Sequence, residues 1–155
     1  MADPVPFTAA ETLARVPQQE PFRFIDEIVE LDADHIVARY TFRPDADFYR
    51  GHFPGNPITP GVLLTEAMAQ AGIVALGIYL MSCEAGGREA LEKTLTIFTD
   101  AAVDFTGQVL PGQRVTTVGR KQFWRRRKLR SQVEMTLDDG TVVASGTVSG
   151  MGVQG

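Results

Sequence analysis

Thr59-Pro60-Gly61-Val62-Leu63-Leu64-Thr65-Glu66-Ala67-Met68-Ala69-Gln70-Ala71-Gly72-Ile73-Val74-Ala75-Leu76-Gly77-Ile78-Tyr79-Leu80-Met81 is apolar on nearly every helical face. A helix of that pattern has no side to offer to water, so it is expected to be buried all round. Thr59 is a good N-cap residue, and Pro60 suits the first helical position, where its missing N–H has no intrahelical acceptor to lose. Outward from this helix the chain reads as strands. Upstream, residues 24–31 and 36–42 are rich in Ile, Val and Phe, with the turn formers Asp32 and Asp34 between them. Downstream, residues 94–105, 114–124, 128–137 and 141–149 read as strands, and Asp139-Gly140 supplies a tight hairpin between the last two. Residues 82–93 form a polar connection with a helical turn expected over 88–93. At the start, Thr8-Ala9-Ala10-Glu11 has capping-box spacing and predicts a short helix over 8–14. Strands, one buried helix and more strands predict an α+β fold: an antiparallel sheet wrapped around a central helix, as one domain over 1–155.

The composition agrees with such a domain. The chain has 155 residues, 44% hydrophobic and 22% charged, with a net charge of −4. That length makes one sizeable core, and the acidic balance gives no reason to expect nucleic acid as a partner. Cys83 is the single cysteine, so no internal disulfide can form and a reducing, cytoplasmic setting is expected. MADPVPFTAAETL lacks the basic and apolar regions of a secretory signal. The uninterrupted apolar run 71–81 is too short for a bilayer span, which takes roughly 20 residues, so no membrane partner is expected.

Chemistry concentrates just before and inside the helix. Residues 43–60 carry Pro44, Gly51, Pro54, Gly55, Pro57 and Pro60 and must form an ordered loop. His52 lies in it, so its imidazole can be held in one pose, and an imidazole's ordinary pKa near 6.5 suits proton transfer at neutral pH. Glu66 sits early on the buried helix, where desolvation raises a carboxyl's pKa and lets it donate a proton near pH 7. Between them the free N–H of Gly61, at the positive end of the helix dipole, can polarise a carbonyl oxygen. Each residue taken singly also has a structural reading. A lone loop histidine is commonly solvated, and Gln70, at i+4 from Glu66, can form a merely structural hydrogen bond with it.

Gly51-His52-Phe53-Pro54-Gly55-Asn56-Pro57-Ile58-Thr59-Pro60-Gly61 followed by Glu66-Ala67-Met68-Ala69-Gln70 resembles the 3-hydroxyacyl-acyl carrier protein dehydratases of the FabZ/FabA type. The resemblance extends more weakly to Pro21-Phe22-Arg23-Phe24-Ile25-Asp26 and to residues 103–112, and so covers most of the chain. The carboxylate position is Glu66, as in the FabZ type, where the FabA type has Asp. The resemblance implies a hot-dog fold, no cofactor and no metal, and a homodimer that can assemble further. It implies active sites built from His52 of one chain and Glu66 of the other, with the Gly61 N–H receiving the thioester carbonyl. It also implies a tunnel for the acyl chain along the helix, and Phe53, Ile58, Thr59 and Gln70 are expected to contact the substrate. The substrate is then a 3-hydroxyacyl thioester on acyl carrier protein or coenzyme A, dehydrated to the trans-2-enoyl thioester in fatty acid or related acyl-chain synthesis. This chain departs from the FabZ pattern at Gln19-Glu20, Asn56 and Thr59, and its segment 82–93 is longer, so the acyl length or type served can differ.

Other signals weigh less. Gly150-Met151-Gly152-Val153-Gln154-Gly155 matches a dinucleotide fingerprint, but no helix follows it in the sequence. No G-x-S-x-G is present, and two histidines and a cysteine far apart do not make a metal site. His35 reads as an ordinary surface or structural histidine. Residues 120–130 carry seven cations and no acid. They read either as a solvated hairpin or, through Arg125, Arg126, Arg127 and Lys128, as a landing patch for an acidic carrier protein. Two further functional readings remain: a hot-dog acyl thioesterase, and a non-catalytic acyl-binding module. The first is disfavoured by the pairing of His52 with Glu66, and the second by the presence of both.

Overall fold

A computed structural model describes residues 3–155; Met1 and Ala2, the start of the expected domain, lie outside the described residues. The short helix α1 spans Ala9–Ala14 and begins with the capping box, in which the Thr8 hydroxyl accepts from the Glu11 N–H and the Glu11 carboxylate accepts from the Thr8 N–H. Strands β1 (Glu27–Leu31) and β2 (His35–Thr41) follow, then the loop with a 3₁₀ turn over Asp47–Arg50. The long helix α2 runs over Gly61–Ser82. A short helix α3 (Gly87–Leu91) leads into β3 (Thr94–Phe105), β4 (Arg114–Arg125), β5 (Lys128–Leu137) and β6 (Val142–Gln154). All neighbours pair antiparallel in one six-stranded sheet of order β1-β2-β4-β5-β6-β3.

The sheet curls around α2. Alternate residues turn inward along the central strands, among them Ile36 and Ala38 on β2, Val115 on β4, and Leu129, Val133 and Met135 on β5. They meet Leu64, Met68, Ile73 and Leu76 of the helix in one core. By length and composition α2 is apolar enough to cross a membrane, but about two thirds of its apolar window is buried inside the sheet, as in the core helix of a soluble protein.

Four local expectations differ from the structure. Pro60, not Thr59, is the N-cap of α2, and Gly61 opens the helix. The Thr59 hydroxyl instead shares a 2.6 Å hydrogen bond with the Tyr49 phenol, a partner that local sequence cannot reveal. β1 starts at Glu27, because the backbone before it binds the Gln70 side chain. The last strand runs on to Gln154, so the glycine-rich fingerprint is strand paired with β3. The middle of α2, Gln70–Ala75, widens into π-helix. Widened turns leave carbonyls poorly matched to intrahelical donors. Here the Ser131 hydroxyl of β5 donates to the Gly72 carbonyl at 2.6 Å.

At Gly72 the helix passes close to the sheet. A Cβ there would lie 2.8 Å from Cγ1 of Val133, and a Cβ on Gly119 of β4 would lie 3.0 Å from the Gly72 Cα. Alanine is favoured over glycine in a helix by about 1 kcal/mol, whereas overpacking a core costs about 1–3 kcal/mol. The added methyl would press on buried Val133, with Ser131 and Val148 close behind it, so the clash wins. Gly72→Ala is expected to lower the urea midpoint without changing the m-value, and a raised midpoint would show that the crossing has slack.

Candidate active site

The loop before α2 is built to hold one imidazole. The His52 N–H donates to the Phe48 carbonyl at 3.1 Å, and the Ile58 N–H donates to the His52 carbonyl at 2.9 Å. The ring lies 2.7 Å from the Ile58 carbonyl through Nδ1. A carbonyl can only accept, so Nδ1 carries the proton and Nε2 presents a lone pair. Phe53 stacks on the imidazole with centroids 4.1 Å apart. Three hydrogen bonds and a stacked ring thus set the position, tautomer and tilt of a potential base.

The second group is on the helix. Glu66 is half-buried, and burial raises its carboxyl pKa, partly offset by the hydrogen bond from Gln70. Gln70 itself is fully buried. Its Nε2 donates to Glu66 Oε2 at 2.9 Å and to the Phe22 carbonyl, while its Oε1 accepts from the Phe24 N–H at 2.7 Å. The side-chain amide is therefore saturated, and it fixes the carboxyl against the Pro21–Phe24 segment. The merely structural reading of this pair has substance, but it also orients an acid. Gly61 begins the helix, so its N–H has no acceptor within it. A Cβ at Gly61 would meet the Phe105 ring at 3.3 Å, which places the N-terminus of α2 beneath an aromatic from β3.

Of the residues expected to act together, His52, Phe53, Ile58, Thr59, Gly61, Glu66 and Gln70 all lie on this loop and the first turns of α2. Ile58 contributes its carbonyl, and Thr59 is buried on Tyr49. The Thr59 N–H also donates to the Val109 carbonyl, tying the loop to the β3–β4 connection. Arg125, Arg126, Arg127 and Lys128 lie elsewhere, at the tip of the β4–β5 hairpin. Trp124 beside them donates to Glu84 just past the end of α2, so the basic tip is at the far end of the helix from Glu66. His35 is flanked by Glu30 and Asp32, and hydrogen bonds to Glu30 and then Asp32 raise its pKa. Tyr49 and Phe105 were not legible as site residues. Both act through contacts distant in sequence, and no local pattern marks them.

An antiparallel sheet wrapped on a buried helix, with a histidine loop leading into a carboxylate helix, defines a hot-dog protein that handles acyl thioesters. The FabA-like domain model matches residues 16–148, and the chain belongs to that family. The 3-hydroxyacyl-[acyl-carrier-protein] dehydratase FabZ of Xanthomonas oryzae is 37% identical over 110 residues, covering 70% of this chain and 68% of that one. The FabZ of Streptococcus pyogenes is 33% identical over 142 residues, covering 90% and 94%. Among solved structures, the ApeI:P dehydratase heterocomplex of Xenorhabdus doucetiae superposes with a TM-score of 0.67 at 16% identity, covering 97% of this chain and 91% of that one. A thioesterase of Haemophilus influenzae superposes with a TM-score of 0.66 at 15% identity, covering 99% and 96%. These two likenesses speak to the fold alone.

Proposed function

We propose that this protein dehydrates 3-hydroxyacyl thioesters carried on acyl carrier protein, with His52 as base and Glu66 as acid. The observation that carries the reading is the complementary state of the two groups. The Ile58 carbonyl commits Nδ1 of His52 as a donor and frees Nε2 to accept, while burial keeps Glu66 inclined to hold its proton. Nε2 takes the α-proton, the Gly61 N–H stabilises the enolate oxygen, and Glu66 protonates the β-hydroxyl as it leaves. One C–H and one C–O bond break, a C=C bond forms and water departs. The pair resets when His52 gives up its proton and Glu66 regains one. The step is redox-neutral.

The site is read as shared between two chains. β3 is a 12-residue strand at the edge of the sheet. It carries Leu95, Ile97, Phe98 and Phe105, all exposed. A long apolar edge calls for a strand partner, and a second copy of β3 provides one. Such pairing brings a neighbouring loop toward the α2 N-terminus beneath Phe105. The chain is read as one soluble cytoplasmic domain, supported by its buried core helix and lone cysteine.

The basic hairpin tip is read as the surface that meets an acidic carrier. Arg126 and Arg127 occupy the two-residue turn with φ of 52° and 62°. Left-handed backbone costs a non-glycine residue roughly 1–2 kcal/mol, and Asn-Gly is the usual choice for such a turn. None of the four cations forms a salt bridge among the described residues. Incubation with 3-hydroxyacyl and plain acyl thioesters on both carriers tests the activity: enoyl product is expected only from the former, and hydrolysis of the latter would favour a thioesterase. In the same assay, charge reversal at Arg125 and Arg126 should lower kcat/KM for carrier-bound substrate by about tenfold with little change in kcat. The loss should fade as salt rises, because the Debye length falls from about 10 Å at 0.1 M to about 3 Å at 1 M. An equal loss on a small carrier-free thioester would remove the docking role.

A further inference from the structure

A pair of hydroxyls lies buried behind the His52 loop. The Tyr49 phenol and the Thr59 hydroxyl are 2.6 Å apart, and both side chains are buried. Burial raises the phenol's pKa, against a smaller opposing effect of the bond to Thr59, so the pair is a neutral hydrogen bond. Stability is a weak reason to keep it. A phenyl and an isopropyl group would fill the same space with no hydroxyl to desolvate, and replacing both partners of a buried hydrogen bond by apolar groups can be nearly neutral. What an apolar pair cannot supply is a fixed distance and direction between two stretches of backbone.

The two residues adjoin the two that anchor the imidazole. Tyr49 follows Phe48 in the 3₁₀ turn Asp47–Arg50, and the Phe48 carbonyl accepts from the His52 N–H at 3.1 Å. Thr59 follows Ile58, whose N–H donates to the His52 carbonyl at 2.9 Å and whose own carbonyl lies 2.7 Å from Nδ1. Thr59 is also tied to the rest of the fold, because its N–H donates at 2.9 Å to the carbonyl of fully buried Val109. The hydroxyl pair therefore closes residues 49–59 into a loop, with both anchors of His52 beside the closure. Thr59 stands two residues before Gly61, so the same bond holds the base in register with the first N–H of α2.

We propose that Tyr49 and Thr59 are positioning residues that clamp the loop and aim the His52 imidazole, Thr59 acting through Ile58 and not on the substrate. The inference rests on the reading of His52 as the base and adds the pair that holds it in place. A displacement of about 1 Å at a reacting group can cost about 100-fold in rate, so one hydrogen bond outside the site can weigh on turnover.

The test compares Tyr49→Phe, Thr59→Val, the double variant and Thr59→Ser with the wild-type chain. Each is followed by 3-hydroxyacyl thioester turnover, thermal melting and ¹⁵N NMR of the imidazoles, of which the chain has two. Tyr49→Phe and Thr59→Val should each lower kcat by about 10- to 100-fold with KM within about twofold. The double variant should lose no more than the worse single one, because both remove the same bond. Thr59→Ser keeps the hydroxyl and should keep kcat. In the spectra, wild-type His52 should carry its proton on Nδ1 alone, whereas the two hydroxyl deletions should mix the tautomers. A lower melting temperature with kcat and tautomer unchanged would make the pair merely structural and overturn the proposal, and Tyr49→Phe decides if Thr59→Val does not fold. If the wild-type chain gives no enoyl product, the dehydratase reading fails separately. The tautomer of His52 in Tyr49→Phe then judges the clamp by itself: a mixture supports it, and a proton still confined to Nδ1 removes it.

Discussion

His52→Ala and Glu66→Gln are each expected to reduce dehydration by about 100- to 10,000-fold, the usual contribution of a positioned acid or base. Their effects on stability should differ in sign. His52 bonds through Nδ1 to the Ile58 carbonyl, so truncation removes a local hydrogen bond and loosens the loop. Glu66 carries a burial-raised pKa, so the folded state disfavours its ionised form. Its favourable contribution is fully present below the unfolded value of 4.5 and is lost as pH rises through the raised folded value. A neutral glutamine escapes that loss and still accepts from Gln70 Nε2. Glu66→Gln should therefore melt higher than wild type at pH 8, and the difference should shrink toward pH 4. Thermal melts at the two pH values, beside a turnover assay, check both halves. Near wild-type turnover in Glu66→Gln would mean that another group protonates the leaving hydroxyl.

How far the sequence could be read depended on the range of the forces involved. The capping box at Thr8 and Glu11 is a contact across three residues, and it was legible residue by residue. The all-apolar face of α2 and the alternation along the strands were legible because burial is periodic. The Thr59 cap was not, since its hydroxyl had a better partner in Tyr49 ten residues upstream. The π-turns at Gln70–Ala75 were not either: composition does not count turns, and the carbonyl that they leave is satisfied from β5, 59 residues away. The end of β6 was hidden because Gly150 and Gly152 lower strand propensity while the pairing with β3 supplies the ladder. At the site, His52 and Glu66 stood out through the motif. The hydrogen bonding of Gln70 to Phe22, Phe24 and Glu66 exists only in three dimensions.

Mixing the two inactive variants should restore activity, and this result bears most directly on how the site is assembled. If each site takes His52 from one chain and Glu66 from its partner, a mixed dimer has one site with both groups intact and one with neither. Random reassortment makes half of the dimers mixed, each with one of two sites working, so about a quarter of wild-type activity is expected. Against variants lowered by about 100-fold or more, that recovery is unmistakable. The physical basis is the sheet edge: β3 leaves its outer side unpaired and bears exposed Leu95, Ile97 and Phe98, while Phe105 covers the helix N-terminus that holds Gly61. If chains pair through this edge, that pairing must exchange before mixing can work. Subunit exchange should therefore be established first, with tagged chains and gel filtration. Proven exchange without recovery would assign His52 and Glu66 to the same chain. A charged replacement at Ile97 separates the alternatives further. It should split the dimer and abolish turnover together if sites are shared, whereas active monomers would show that each chain holds a complete site.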